Sequence, residues 1–285
     1  MTIKHLVLSG GSYKGFIMIG IIKKLIENKY IIINEIETFW ATSIGTLISV
    51  MLSLKIDLIK LIEFVENVPI NNYTNINFNT LMEIYQNSGF LDEKIFLGFL
   101  KSPFYAEDLN INTVTLKEFY DYSGKEINFF CVNYNTVEKI CFNYKSHPNI
   151  KLIDVIYCSC SIPMIFKPKK INDIVYLDGG LKVHYPSKEC LSKHNNNEIF
   201  GLYSKTSNVD ETDFTNIIVF ISKLINKIIF LKQRENFEVL ENEIKILRKA
   251  SNFSKILTVL SDRNERIKLI NEGYKKADEY FKKTK

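Results

Sequence analysis

The chain has 285 residues, 46% hydrophobic and 24% charged, with a formal net charge of +5. That length supports one sizeable buried core, with or without a small appendage, and the composition is that of an ordinary soluble globular protein. The mild basicity falls far short of the dense basic stripe of a nucleic-acid binder, and no RNP, zinc-finger or basic-zipper signature is present.

His5–Ser9 (HLVLS) is a short apolar run that ends at two glycines and predicts a buried strand. Gly10-Gly11-Ser12-Tyr13-Lys14-Gly15 follows as a turn. Phe16, Ile19, Ile22 and Ile26 then recur at helical spacing up to Asn28. The pattern repeats at once: Glu37–Ala41 as a strand, Thr42–Gly45 as a tight turn, Thr46–Leu54 as an apolar helix. Two strand–turn–helix units in about 55 residues argue for an α/β fold with a parallel sheet.

The stretch Asp57–Leu109 is expected to be mainly helical, with loops near Pro69–Asn79 and at Pro103. Thr115–Tyr122 reads as a helix, Glu126–Asn133 and Glu138–Tyr144 as a strand pair, and Lys151–Cys158 as a helix. Ile174–Leu177 is a short strand that runs into Asp178-Gly179-Gly180, and Glu198–Tyr203 is one more strand. From Thr212 the chain reads as charge-rich helices. Within them, Thr215–Gln233 is apolar with interspersed lysines. It either packs on the core with the lysines in water or lies on a membrane surface.

No apolar run reaches the ~20 residues that span a bilayer. Ile217–Leu231 comes nearest and is interrupted by Lys223 and Lys227. The start, MTIKHLVLSGG, has no apolar signal-peptide region, so an intracellular protein, cytoplasmic or peripherally membrane-associated, is expected. The five cysteines have no zinc-site spacing and read as buried thiols in a reducing compartment. No metal site and no cofactor is indicated.

Ala41-Thr42-Ser43-Ile44-Gly45 approximates the Gly-x-Ser-x-Gly elbow, in which a sharp strand-to-helix turn exposes a serine hydroxyl above a helix N-terminus. On its own the pattern fits either a nucleophile or a serine helix cap. The Gly10–Gly15 turn can converge backbone N–H groups on an anion, either a phosphate or the oxyanion of a tetrahedral intermediate. The phosphate reading fails in detail: Lys14-Gly15-Phe16 lacks the Gly-Lys-Ser/Thr ending of a P-loop, and Ser12 stands at the middle glycine of a Rossmann fingerprint. A serine needs a base. Ser43 comes too early in the chain for the α/β-hydrolase order, whereas Asp178 sits at a strand end before two glycines.

A glycine-rich turn, a serine elbow and a distant Asp-Gly-Gly, in that order, resemble the patatin-like phospholipase family. The matching stretches are LSGGSYKGFIMIGIIKKL (Leu8–Leu25), FWATSIGTLIS (Phe39–Ser49), CSCSIPMIFKP (Cys158–Pro168) and VYLDGGLKVHYP (Val175–Pro186). The resemblance implies a three-layer α/β/α fold with a mainly parallel sheet. It also implies a lipid acyl hydrolase that works through a Ser-Asp dyad and an acyl-enzyme intermediate. Ser43 would attack the ester, Asp178 would take its proton, and the amides of Gly10, Gly11 and Ser12 would form the oxyanion hole. Lys14, Gly15, Ala41, Gly45, Gly179 and Gly180 complete the motifs. No metal is implied. The expected partner is a lipid substrate at a membrane or micelle surface, reached peripherally.

Two positions depart from the pattern: Ser12 replaces a glycine of the turn and Ala41 the first glycine of the elbow. They leave open a catalytically silent lipid-binding protein on the same fold. His184, six residues after Asp178, leaves open a conventional Ser-His-Asp esterase. Met164, Ile165 and Phe166 either line an acyl channel or pack in the core. Lys14 is either a site residue or a solvated surface lysine. In domain terms, residues 1–208 are expected to form the hydrolase core and 209–285 a helical segment packed on it.

Overall fold

A computed structural model describes residues 2–68, 86–207, 237–249 and 253–284, together with positions 220, 221, 223–225, 227, 228 and 231. Two buried strands, β1 (His5–Leu8) and β2 (Thr38–Thr42), are each followed by a helix, α1 (Gly15–Glu27) and α2 (Ile44–Ser53). The strands are apolar on both faces because both faces are covered, as in parallel sheets generally. α3 (Leu58–Asn67) starts at Asp57, whose carboxylate accepts from the Ile59 and Lys60 amides at 3.0 and 3.2 Å. Such a cap contributes about 1 kcal/mol.

α4 (Lys94–Ala106) runs through Pro103 instead of breaking there. The proline lies near the helix C-terminus with its ring buried, so it ends no helix. α5 (Leu116–Ser123) has a full capping box between Thr115 and Glu118 and stops at Gly124, whose φ of 69° is left-handed. β3 (Glu126–Asn133), β4 (Lys139–Phe142), α6 (Leu152–Ser159), β5 (Lys170–Ile171), β6 (Ile174–Asp178), α7 (Ser187–Leu191) and β7 (Ile199–Ser207) follow. The last elements are β8 (Glu243–Lys249), α8 (Phe253–Ser261) and α9 (Arg263–Thr284).

The sheet order is β5-β6-β3-β2-β1-β7-β8, with β4 also paired to β3. β3, β2, β1, β7 and β8 are mutually parallel; β4, β5 and β6 join antiparallel. The sheet is therefore mostly parallel, in a three-layer α/β/α arrangement.

β8 corrects the expectation of an all-helical C-terminal region. In EIKILRK the buried Ile244 and Ile246 alternate with the exposed Lys245 and Leu247, which is strand periodicity, and the segment pairs with β7 along seven residues. α9 returns across α1 at very close range. A Cβ on Gly20 would lie 1.9 Å from the Ile270 carbonyl oxygen, and one on Gly273 2.0 Å from that of Ile17. The buried Arg266 then ties α9 to the ends of α3 and α8, donating to the carbonyls of Glu66 (2.8 Å), Val68 (3.1 Å) and Leu260 (2.6 Å).

The expected loop at Pro69–Asn79 lies outside the described residues, as does most of Thr215–Gln233. Of the described positions in that second stretch, Phe220, Leu224, Ile228 and Leu231 are exposed. No helix among the described residues is long and apolar enough to cross a membrane.

Candidate active site

Ser43 stands between the end of β2 and the start of α2, in the elbow the sequence pattern describes. Its φ of 54° and ψ of −127° lie in a region that L-residues seldom occupy. Such a conformation costs of order 1–3 kcal/mol and persists only where the surroundings enforce it. Here they do. The Ser43 amide donates to Ser159 Oγ at 3.1 Å, and Ser159 Oγ donates to the Phe130 carbonyl of β3 at 2.7 Å. On the other side, the Ser43 carbonyl accepts from the Thr46 hydroxyl (2.6 Å) and amide (2.8 Å).

Gly45 must be a glycine for reasons of space: a Cβ there would sit 2.5 Å from the Leu8 backbone oxygen. A Cβ on Gly15 would likewise lie 2.3 Å from Ile44 Cγ1, so this glycine lets the N-termini of α1 and α2 come together. Both helix dipoles therefore favour negative charge at one place. Ala41 is fully buried between Leu8 of β1 and Phe129 of β3, so the extra methyl fits.

Asp178 closes β6 and lies across β3 from Ser43. Gly179 lets the chain leave the strand at once, because a Cβ there would be 2.2 Å from the Phe130 carbonyl oxygen. The Asp178 amide is held by the Ser161 carbonyl at 2.9 Å, and Oδ1 accepts from the Gly180 amide at 2.6 Å. Burial pushes the carboxyl up to about 6, against the pull of the Ser43 hydroxyl and the Gly180 amide, both of which favour the anion. Oδ2 is buried and makes no hydrogen bond of good geometry. The carboxyl thus keeps one oxygen without a partner near a serine hydroxyl and is raised toward neutrality, which marks a candidate functional group.

The glycine turn is fixed from behind by buried polar groups. Ser9 Oγ donates to the Gly10 carbonyl at 2.9 Å and accepts from the Ser204 amide at 2.8 Å. His184 Nε2 donates to the Ser204 carbonyl at 2.8 Å, and the His184 carbonyl accepts from the Gly10 amide at 2.9 Å. This last bond corrects the expected oxyanion hole. The Gly10 N–H is spent within the fold, whereas the amides of Gly11 and Ser12 have no partner among the described residues. Ser12 has a φ of 53°, a left-handed conformation that a glycine would take freely and that costs a serine about 1–2 kcal/mol.

Lys14 is buried, not solvated, and its charge adds to the burial that lowers the His184 pKa to about 4. His184 is thus neutral, with Nε2 committed to a backbone carbonyl. Its Nδ1 faces Gly10, on which a Cβ would lie 3.2 Å away.

Ser43 and Ser12 open on an apolar cleft of about 850 Å³, mouth included, between α1, α2, α4 and α8. Phe16, Leu47, Phe96, Ile165 and Phe166 are among its walls, so Ile165 and Phe166 line the cleft as one reading expected; Met164 does not. The Cys160 thiol also lines it, beside the Ser43 hydroxyl, and burial drives its pKa far up so that it stays protonated. Sequence reasoning assigned no role to Ser9, Ser159, Cys160 or Ser204. Ser159 and Cys160 fall in a stretch that matches the family, but nothing in the residues themselves pointed to a brace.

The patatin-like phospholipase family model matches residues 6–188. The chain belongs to the patatin-like phospholipase family. The chain is 29% identical over 195 residues to a protein of invertebrate iridescent virus 6 named probable lipid hydrolase 463L, covering 67% of this chain and 64% of that protein. It is 23% identical over 189 residues to uncharacterized protein R571 of Acanthamoeba polyphaga mimivirus, covering 65% and 60%. It thus spans less than two thirds of the length of these two relatives. Among solved structures, VipD from Legionella pneumophila superposes with a TM-score of 0.56 at 15% identity, over 98% of this chain and 66% of VipD, a likeness of fold. The residues this patatin-like chain brings together are Ser43, Asp178, Gly11 and Ser12. Gly10, Lys14 and His184 stand behind them.

Proposed function

We propose that this patatin-like protein is a serine acyl hydrolase that cleaves ester bonds of phospholipids or other glycerolipids through a Ser43–Asp178 dyad. The observation that carries the reading is a serine held in a strained elbow at the mouth of an apolar cleft, with a buried, half-satisfied carboxylate beside its hydroxyl. The cleft takes the acyl chain. The head group stays at the mouth, toward the lipid surface that supplies the substrate.

Ser43 Oγ attacks the ester carbonyl carbon as Asp178 accepts the hydroxyl proton. The carbonyl oxygen becomes an oxyanion facing the Gly11 and Ser12 amides, each donor contributing about 3 kcal/mol in the transition state. The intermediate collapses, the alcohol leaves with the proton from Asp178, and the acyl group remains on Ser43. Asp178 then takes a proton from water, which attacks the acyl-enzyme; as the fatty acid is released, Asp178 returns that proton to Ser43 Oγ.

The experiment is hydrolysis of a chromogenic ester and a fluorogenic phospholipid by wild type, Ser43→Ala and His184→Ala. Ser43→Ala should fall to background, and His184→Ala should keep at least roughly a tenth of the wild-type rate, since its ring is a positioning group here. The base works as the anion, so kcat/KM should rise with pH through about 6 and then level off. A wild type no faster than Ser43→Ala overturns the reading. A dead but folded His184→Ala replaces the dyad with a triad.

A further inference from the structure

The cleft that opens on Ser43 is not the only apolar space along α2. A second, smaller hollow, about 300 Å³ with its open mouth included, lies between α1, α2 and α3, and its lining is wholly apolar. The two share four side chains: Ile19 of α1, Ile48 and Met51 of α2, and Val65 of α3. Along α2 the order is informative. Ile44 and Leu47 line only the first cavity, Ile48 and Met51 line both, and Leu52 lines only the second. Distance from the nucleophile and passage from one cavity to the next therefore run together. Met51 is eight residues past Ser43, about 12 Å along the helix at 1.5 Å per residue. An extended hydrocarbon with ~1.5 Å carbon–carbon bonds advances roughly 1.3 Å per carbon, so about nine carbons reach Met51.

We infer that Ile19, Ile48, Met51 and Val65 are the end-stop that sets acyl chain length in this enzyme. The inference rests on the acyl-hydrolase reading for its catalytic consequence, but not for the cavity it describes. Chains up to about decanoyl fill the first cavity and gain from each added methylene, up to about fourfold in kcat/KM per methylene buried. Longer chains meet the four side chains and lose rate, because the stop leaves their extra carbons no room in the first cavity. The competing possibility is that both spaces are packing voids around a core.

The test compares nitrophenyl butyrate, octanoate, decanoate and palmitate, below their micelle concentrations. The variants are Met51→Ala and Ile48→Val, which thin the partition, and Ile19→Phe, which thickens it at a half-buried position. Wild type should peak near decanoate. Met51→Ala should raise the palmitate-to-decanoate ratio of kcat/KM about tenfold, and Ile48→Val, which removes one methylene, about threefold. Ile19→Phe should move the peak toward octanoate. If Met51→Ala does not fold, Ile48→Val carries the same sign. Ratios that stay unchanged in folded variants, or a wild type that hydrolyses palmitate as fast as decanoate, overturn the end-stop and leave the hydrolase standing. If wild type cleaves no ester, the hydrolase reading fails. The end-stop is then decided on Ser43→Ala protein, by displacing a bound fluorescent polyene fatty acid with octanoate, decanoate and palmitate. Affinity should rise to decanoate and fall again at palmitate, and should keep rising to palmitate once Met51→Ala is added. A rise to palmitate without it overturns the inference.

Discussion

At the amino end of the sheet, the Thr38 hydroxyl accepts from the Trp40 indole at 3.0 Å and shares a hydrogen bond with His5 Nδ1 at 2.8 Å, while His194 stacks on the His5 ring at 3.6 Å. Lys4 pairs with Glu198 beside them. At the carboxyl end, Asp178 Oδ2 and Ser204 Oγ are buried without partners among the described residues, and two serines hold positive φ angles. The same sheet buries polar groups at both ends; the Thr38 cluster is paired, whereas the groups around Ser43 are left short of partners on strained backbone. Buried polar groups are paired as a rule, and unpaired ones beside strained backbone mark a candidate functional site.

The two ends also titrate in opposite senses. Burial lowers His5 to about 4, so its contribution to stability is present above its unfolded value near 6.5 and is lost as pH falls toward 4. Asp178 is raised to about 6 from 3.8, so its contribution is full below about 4 and is lost as pH rises through 6.

The sharpest break in this contrast is Asp178→Asn. It should cost about 10³-fold or more in kcat/KM. The same change should stabilise the fold at pH 8 by about 2–3 kcal/mol, because no buried charge must form. That gain should disappear below about pH 4 in urea melts taken across pH. A variant that is inactive and also less stable at pH 8 would show that the carboxylate is a structural ion.

Next in size is Ser159→Ala. It strands the Ser43 amide and loosens the elbow. We expect kcat to fall about 10²-fold with KM little changed, since a small misplacement of the nucleophile is costly, and stability to fall by about 1–3 kcal/mol. A rise in KM alone would place Ser159 in the substrate-binding wall instead.

The smallest effect belongs to the amino end. Trp40→Phe removes one donor from a satisfied cluster and should cost about 1 kcal/mol in a thermal melt. Its kcat/KM should stay within roughly twofold of wild type, because the paired end takes no part in the reaction. A large loss of activity there would mean that the two ends are coupled through the strands.

Much was legible in the chain itself. Short apolar runs closed by glycines set the first two strand–turn–helix units, because a strand buried on both faces needs continuous apolar side chains and a sharp turn needs small residues. Ser43 and Asp178 could be picked out because each stands at such a strand end. β8 was harder: seven residues of alternating pattern inside a charge-rich stretch resemble a helix face until a neighbouring strand is known.

What sequence alone determined is the set of local conformations: the elbow, the glycine turn, and most of the strands and helices as far as β7. These follow from φ/ψ freedom and apolar spacing, which are properties of a few neighbouring residues. Tertiary structure alone decided the rest. It gave the Gly10 amide to His184 and left Gly11 and Ser12 as donors. It buried Lys14, set Ser159 behind Ser43, and placed two cavities on either side of Ile48 and Met51. Each of those outcomes depends on which distant segments meet, and hydrogen-bond partners, desolvation and cavities exist only once they have met.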